Sequence, residues 1–121
     1  MVVTAEKAIP GDVRTCCPGG CQQEAARTRF DEERLAALGE MLQALAAPAR
    51  LRIMHFLVRY QALCVCEIES ALDLGQPTIS YHLRVLREAA LVEVQRRGTR
   101  AYYPLARPGV KRLVQELLAL V

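Results

Sequence analysis

The segment Gly75-Gln76-Pro77-Thr78-Ile79-Ser80-Tyr81-His82-Leu83-Arg84-Val85-Leu86-Arg87 sets the architecture of this chain. Proline fixes φ and lacks a backbone donor, so Pro77 belongs in the first turn of a helix. Beyond it Ile79, Leu83, Leu86 and Ala90 recur at helical spacing, which predicts a helix over 77–89 with that side buried. The opposite side carries Thr78, Tyr81 and Arg84, with Gln76 just ahead and Ser80 and His82 on the flanks. Such side chains reach base edges and phosphates from a helix in the major groove. Upstream, 67–72 suits a short helix and 74–77 a break. A short helix, a tight turn and a second amphipathic helix form a helix-turn-helix.

Working outward, 91–96 alternates as a strand, 97–99 turns and 100–105 returns, predicting a β-hairpin whose tip bears Arg96, Arg97 and Arg100. Towards the N-terminus, Asp31 can cap a helix with Glu32 and Glu33 in its first turn and an apolar face of Leu35, Leu38, Leu42 and Leu45. Pro48 ends that helix and opens another, with Leu51, Met54 and Leu57 on one side; 63–65 is a short apolar run. A last helix over 108–121 carries an apolar stripe of Leu113, Val114, Leu117, Leu118 and Val121, which a domain this small would struggle to cover alone. The expected fold is mainly α, with about five helices and a β-hairpin wing: a winged helix-turn-helix over 29–121. Before it, 1–28 is broken by Pro10-Gly11 and Pro18-Gly19-Gly20 and reads as a flexible arm. No repeat or low-complexity tract interrupts the chain.

A length of 121 residues suits one small domain, and 52% hydrophobic residues make it globular rather than disordered. The net charge of +3 is local. Residues 75–105 hold five arginines against two glutamates, while 24–42 carry a net −2. An ordinary solvated face accounts for any single arginine; helix-turn-helix spacing, a basic hairpin and short polar side chains together point to double-stranded DNA. His55 reads as an ordinary helical histidine. No run approaches ~18 apolar residues, so no membrane span is expected. Residues 1–8 include Glu6 and Lys7 and lack a leader-like apolar run, so the expected location is the cytoplasm. The five cysteines, Cys16, Cys17, Cys21, Cys64 and Cys66, cannot pair off within the chain, and a secreted disulfide scaffold is excluded. In a reducing compartment such a cluster points to metal or redox chemistry.

Cys64-Val65-Cys66-Glu67-Ile68, the 75–87 segment, and Leu45-Ala46-Ala47-Pro48-Ala49-Arg50-Leu51-Arg52-Ile53 together resemble the ArsR/SmtB family of metal-sensing bacterial repressors. The likeness covers roughly residues 30–106. It implies a homodimer joined through the first and last helices that represses when metal-free and leaves its operator when metal binds. Two positions depart from the family pattern. Gly75 stands where serine is usual, so the reading helix lacks a side-chain cap, and Ala90 stands where glycine is usual, so a left-handed backbone there would be strained.

Cys64 and Cys66 are two apart, a spacing that places side chains on nearly opposite faces of a helix but on one side of an extended chain. Acting together, they require an extended or unwound segment before a helix starting near Glu67. That helix terminus is expected to lower the cysteine pKa. Arsenic-sensing relatives often place a third cysteine where Glu69 stands here. The remaining donors would come from the arm, where Gly19 and Gly20 let the chain curl between Cys17 and Cys21. Cys17, Cys21, Cys64 and Cys66 supply four sulfurs for tetrahedral Cd(II), Pb(II) or Zn(II), resembling the site of the cadmium- and lead-sensing members. The adjacent Cys16-Cys17 resembles instead the arm cysteines of arsenic sensors, and three sulfurs suffice for As(III) or Sb(III). Soft donors exclude Mg(II) and Ca(II), and the last helix has no histidine or aspartate for the family's zinc site there. Cys64 alone would read as a packing thiol; with Cys66 and the arm it reads as a ligand, and Cys16 as a spare one.

The function expected is therefore a metal(loid)-responsive repressor rather than an enzyme. A thiol redox or persulfide switch on the same scaffold is the leading alternative. A thiol oxidoreductase would need a Cys-x-x-Cys motif in a strand–helix setting, which is missing. A protein-binding winged helix or a metal buffer completes the alternatives.

Overall fold

The computed structural model describes residue 25 and residues 27–121. The chain divides into two units, Met1–Asp31 and Glu32–Val121, and the second carries the architecture. Its elements run α1 (Glu32–Leu45), α2 (Pro48–Tyr60), β1 (Ala62–Cys64), α3 (Val65–Leu72), α4 (Gln76–Glu88), β2 (Gln95–Arg97), β3 (Arg100–Pro104) and α5 (Arg107–Leu118). This is a winged helix-turn-helix. α3 and α4 form the helix pair, and the wing is the β2–β3 hairpin turning at Gly98, whose φ of 64° suits glycine.

The core is built from one side of each helix. Ile79, Leu83 and Leu86 of α4 are buried as their spacing predicts, and pack in one cluster with Leu38, Met41, Ile53, Leu57, Ile68, Leu91, Val92 and Leu113. Ala90, expected on the same stripe, lies beyond the helix and is exposed. Two other expected faces are rotated. In α1 the buried line is Leu38, Met41 and Ala44, whereas Leu35 and Leu42 are exposed. Leu42 follows Met41 directly and so sits ~100° round the helix. In α2 the core takes Ile53 and Leu57, and Leu51 is 51% exposed on the other side. Both helices carry apolar residues on more than one face, so leucine spacing alone does not choose the inner one. An exposed bridge, Arg34 Nε to Glu116 Oε1 at 2.6 Å, ties α1 to α5.

α4 ends in a Schellman motif. Ala90 N–H donates to Arg87 O and Leu91 N–H to Leu86 O, both at 3.0 Å, with Ala90 at φ 62°. The left-handed turn anticipated from alanine standing in place of glycine is therefore present, with a Cβ in it. α5 lies against this turn so closely that a Cβ on Gly109 would fall 1.7 Å from Ala90 O.

The wing extends further than a hairpin. β1 joins it to make a three-stranded antiparallel sheet in the order β1-β3-β2, pairing Cys64 with Tyr102 and Ala62 with Pro104. The first wing strand is shorter than the alternation over 91–96 suggests. Only Gln95–Arg97 forms β2, and Val92 contributes an isolated bridge to Leu105. Buried Leu91 and Val92 serve the core instead.

Candidate nucleic-acid interface and thiol pair

α4 begins with Gly75 as its N-cap, without a side-chain cap hydrogen bond, and Pro77 in its first turn. Burial of Ile79, Leu83 and Leu86 fixes its rotation. Gln76, Thr78, Ser80, Tyr81 and Arg84 all emerge exposed. The Arg84 guanidinium lies over the Tyr81 ring, 5.6 Å from its centroid. On the wing, Arg96, Arg97 and Arg100 are exposed. Arg97 stacks on Tyr102 at 4.9 Å and donates to Gln95 Oε1 at 3.1 Å. Stacking on a ring restricts a long side chain before any partner arrives.

Between α4 and β3 runs a cleft of about 350 Å³ lined by Pro77, Ser80, Tyr81, Arg84, Arg87 and Tyr103. Arg87 and Tyr103 were not singled out from the sequence. Arg87 is the next basic residue along α4, and Tyr103 stands beside an equally plausible Tyr102, so only the strand register distinguishes them. His82 differs from the other candidates. It is half-buried, with Nδ1 3.1 Å from Arg50 Nη1. Burial first, and then the Arg50 charge, hold its pKa below the usual histidine range.

The second feature is the thiol pair. Cys64 ends β1 and is the N-cap of α3, with an extended backbone (φ −86°, ψ 167°). Cys66 lies in the first turn of α3. The helix thus begins at Val65, two residues earlier than expected, yet the sulfurs converge to 2.9 Å because only Cys66 is helical. Cys64 is buried and Cys66 exposed, both as free thiols. Glu67, three residues after the cap, brings Oε1 to 3.4 Å from Cys64 Sγ. The sequence reading passed over it, although a carboxylate three residues after a helix cap is a known placement.

The expected lowering of the thiol pKa is not what this arrangement produces for Cys64. Its hydrogen bond to Cys66 and its burial push the pKa up, assisted by the Glu67 carboxylate, and outweigh the downward pull of the Glu67 backbone N–H. Two sulfurs suit a soft cation by chemistry. Among the described residues, however, no group of three or more metal-binding side chains comes together. Cys16, Cys17 and Cys21 lie outside the described residues.

The family model described as bacterial regulatory protein, arsR family, matches residues 47–94. A transcriptional repressor SmtB homolog of Synechocystis sp. is 41% identical over 80 residues, covering 66% of this chain and 60% of that protein. The arsenical resistance operon repressor of Bacillus subtilis is 34% identical over 89 residues, covering 74% and 85% respectively. Among solved structures, reduced HlyU from Vibrio cholerae matches with a TM-score of 0.61 at 32% identity, covering 74% of this chain and 93% of that one. The homodimeric winged helix-turn-helix DNA-binding domain of a possible ArsR-family regulator from Mycobacterium bovis matches at 0.57 and 27% identity, covering 77% and 88%. With the helix pair, the wing and these likenesses together, the chain belongs to the arsR family of bacterial regulatory proteins.

Proposed function

We propose that this protein is a metal(loid)-responsive, DNA-binding transcriptional repressor that acts by binding rather than catalysis. One observation carries the reading. The thiol pair sits at the seam where β1, laddered to wing strand β3, passes directly into α3 of the helix-turn-helix. Any change in the separation of Cys64 and Cys66 is therefore felt by both parts of the reading head. Coordination by both sulfurs requires Cys64 to give up its proton, and a pair 2.9 Å apart to open to about 3.8 Å for tetrahedral Zn–S bonds.

Gln76, Thr78, Ser80, Tyr81 and Arg84 would meet base edges. Arg96, Arg97 and Arg100, with Arg87 and Tyr103 from the cleft, would meet phosphates. The exposed Leu35 and Leu42 of α1 and Val114, Leu117 and Leu118 of α5 supply an apolar surface for a second copy of the chain. The homodimeric Mycobacterium bovis relative supports that use. Two reading helices would then enter successive major grooves ~34 Å apart, on an inverted-repeat operator. The inducer is a soft ion completed by arm cysteines: Cd(II), Pb(II) or Zn(II) with Cys17 and Cys21, or As(III) or Sb(III) with three sulfurs. Free thiols and the regulatory role fit a cytoplasmic location.

Release of a bound DNA duplex, followed ion by ion, tests this reading. Cd(II), Pb(II), Zn(II) or As(III) should release wild-type protein, and Cys64→Ser should abolish the response. Loss of the Cd(II) response in Cys17→Ser as well supports four thiolates, whereas an As(III) response that survives Cys21→Ser supports three. No change in DNA affinity with any ion would refute the reading.

The closeness of the two sulfurs also supports a redox switch. Hydrogen peroxide would take two electrons and two protons from Cys64 and Cys66, forming one S–S bond and two waters. Peroxide-driven release in metal-free buffer, reversed by reductant, identifies that alternative.

A further inference from the structure

The end of α1, the start of α2 and the middle of the reading helix meet at one side chain. Arg50 occupies the first turn of α2, where the positive end of the helix dipole disfavours a cation. Two contacts outside its own helix hold it there. Its Nε donates to Ala44 O at 2.6 Å, and its Nη1 lies 3.1 Å from His82 Nδ1, both part-buried. The Ala44 carbonyl is among the last of α1, which lack intrahelical partners and form the negative end of that helix. A guanidinium has only donors, so Nδ1 must accept and the ring is neutral, with its proton on Nε2.

Building on the DNA-reading assignment above, we infer that Arg50 is a positioning residue for DNA recognition: it fixes the reading helix against the end of α1 through His82, which is a strut rather than a DNA contact. The same α1 exposes Leu35 and Leu42, so the strut joins the apolar outer helix to the reading surface. His82 stands next to Tyr81, yet the two differ in kind. Tyr81 is 50% exposed and stacks with Arg84, whereas the His82 ring turns towards α2.

Protonation separates the two roles. An imidazolium cannot accept from Arg50 and repels it, so the strut fails in acid. A histidine that contacted phosphate would bind more tightly once charged. The charge acting on the ring is that of Arg50 from α2. Glu40 of α1 and Glu88 of α4 line the groove that Arg50 shares with Ala44. Together with burial, the Arg50 charge keeps His82 neutral at neutral pH, and the strut is lost as pH falls through a value below the usual histidine range.

The test uses the full chain and a duplex enriched by the wild-type protein from a random-sequence pool, with affinity measured at pH 7.5 and pH 5.5 at fixed salt. Wild type should weaken by a few fold at the lower pH, the partial loss expected of a histidine whose pKa lies below the usual range, and Arg50→Met and His82→Leu should be roughly tenfold weaker at pH 7.5. His82→Asn offers an acceptor near the Nδ1 position but cannot titrate. It should bind within about twofold of wild type at pH 7.5 and lose the acid step, which His55→Asn should keep. Nitrogen NMR of the DNA-free protein should find His82 Nδ1 unprotonated at neutral pH. Tighter binding in acid that depends on His82, or an Nδ1–H tautomer, would overturn the strut. An enriched duplex with no His82-dependent pH step would overturn the positioning role alone. Failure to enrich any duplex would overturn the DNA-reading assignment and this role with it.

Discussion

The reading head and the thiol pair are built to opposite standards. On the reading head the polar side chains are held before any partner arrives. Arg84 lies on Tyr81, Arg97 lies on Tyr102 and donates to Gln95, and His82 is tied to Arg50. Beneath them Ile79, Leu83 and Leu86 are fully packed. The thiol pair, by contrast, is two sulfurs 2.9 Å apart, one buried and the other exposed, with a carboxylate near the buried one alone. Its buried thiol is biased towards the protonated form. A surface that reads a fixed lattice of phosphates gains from rigidity, since ordering costs are met in folding rather than in binding. A metal sensor of the kind proposed must gain something when its ion binds, and an incomplete donor set leaves that gain available.

Four measurements test this contrast. The largest effect belongs to the packed side. Leu83→Ala removes a buried side chain beneath the reading surface and should cost ~2–5 kcal/mol in denaturant unfolding, whereas Cys66→Ser at its exposed site should cost under ~0.5 kcal/mol. Equal losses would erase the distinction. Next, Arg84→Ala should weaken duplex binding by ~1–3 kcal/mol if Arg84 reads a base. Arg97→Ala should instead lower the slope of log affinity against log salt by about one, if Arg97 meets a phosphate.

A smaller effect concerns pH. The folded protein raises the Cys64 pKa, so the protonated thiol is the stabilised form. Its contribution is complete below the unfolded thiol pKa and is lost as pH rises through the higher folded value. Unfolding stability should therefore decline on the alkaline side more steeply in wild type than in Cys64→Ala, and iodoacetamide should label Cys66 before Cys64. Smallest is Ala90→Gly. It relieves a left-handed alanine in the Schellman turn and should raise stability by up to ~1 kcal/mol, seen as a higher denaturant midpoint.

The sequence made the helix-turn-helix legible because three independent signals agree there: Pro77 at a helix start, one buried line in α4, and polar residues opposite it. The faces of α1 and α2 were not legible, because Leu35, Leu42 and Leu51 are as apolar as the residues that are buried. Only tertiary packing selects between such faces. The pairing of β1 with β3 was also hidden, since a three-residue strand carries too little alternation to show itself. Within the candidate site, the arginines and the thiol pair could be found by residue type and spacing. The Arg50–His82 contact joins residues 32 positions apart and has no local signature. Nor do the Cys64–Cys66 hydrogen bond and Cys64 burial, which together reverse the pKa direction that a helix terminus alone would give.

The proposed repressor links the thiol seam energetically to the reading head. Linkage is reciprocal, so an ion that weakens DNA binding by some factor must itself be bound more weakly, by the same factor, in the DNA complex. The direct test measures Cd(II) affinity by competition with a chelator, for the free protein and for the protein saturated with its duplex. A loss of ~5–150-fold in the complex, equal to the loss of DNA affinity caused by Cd(II) and abolished by Cys64→Ser, is the predicted result. Identical Cd(II) affinity in the two states would show that the seam and the reading head are not linked.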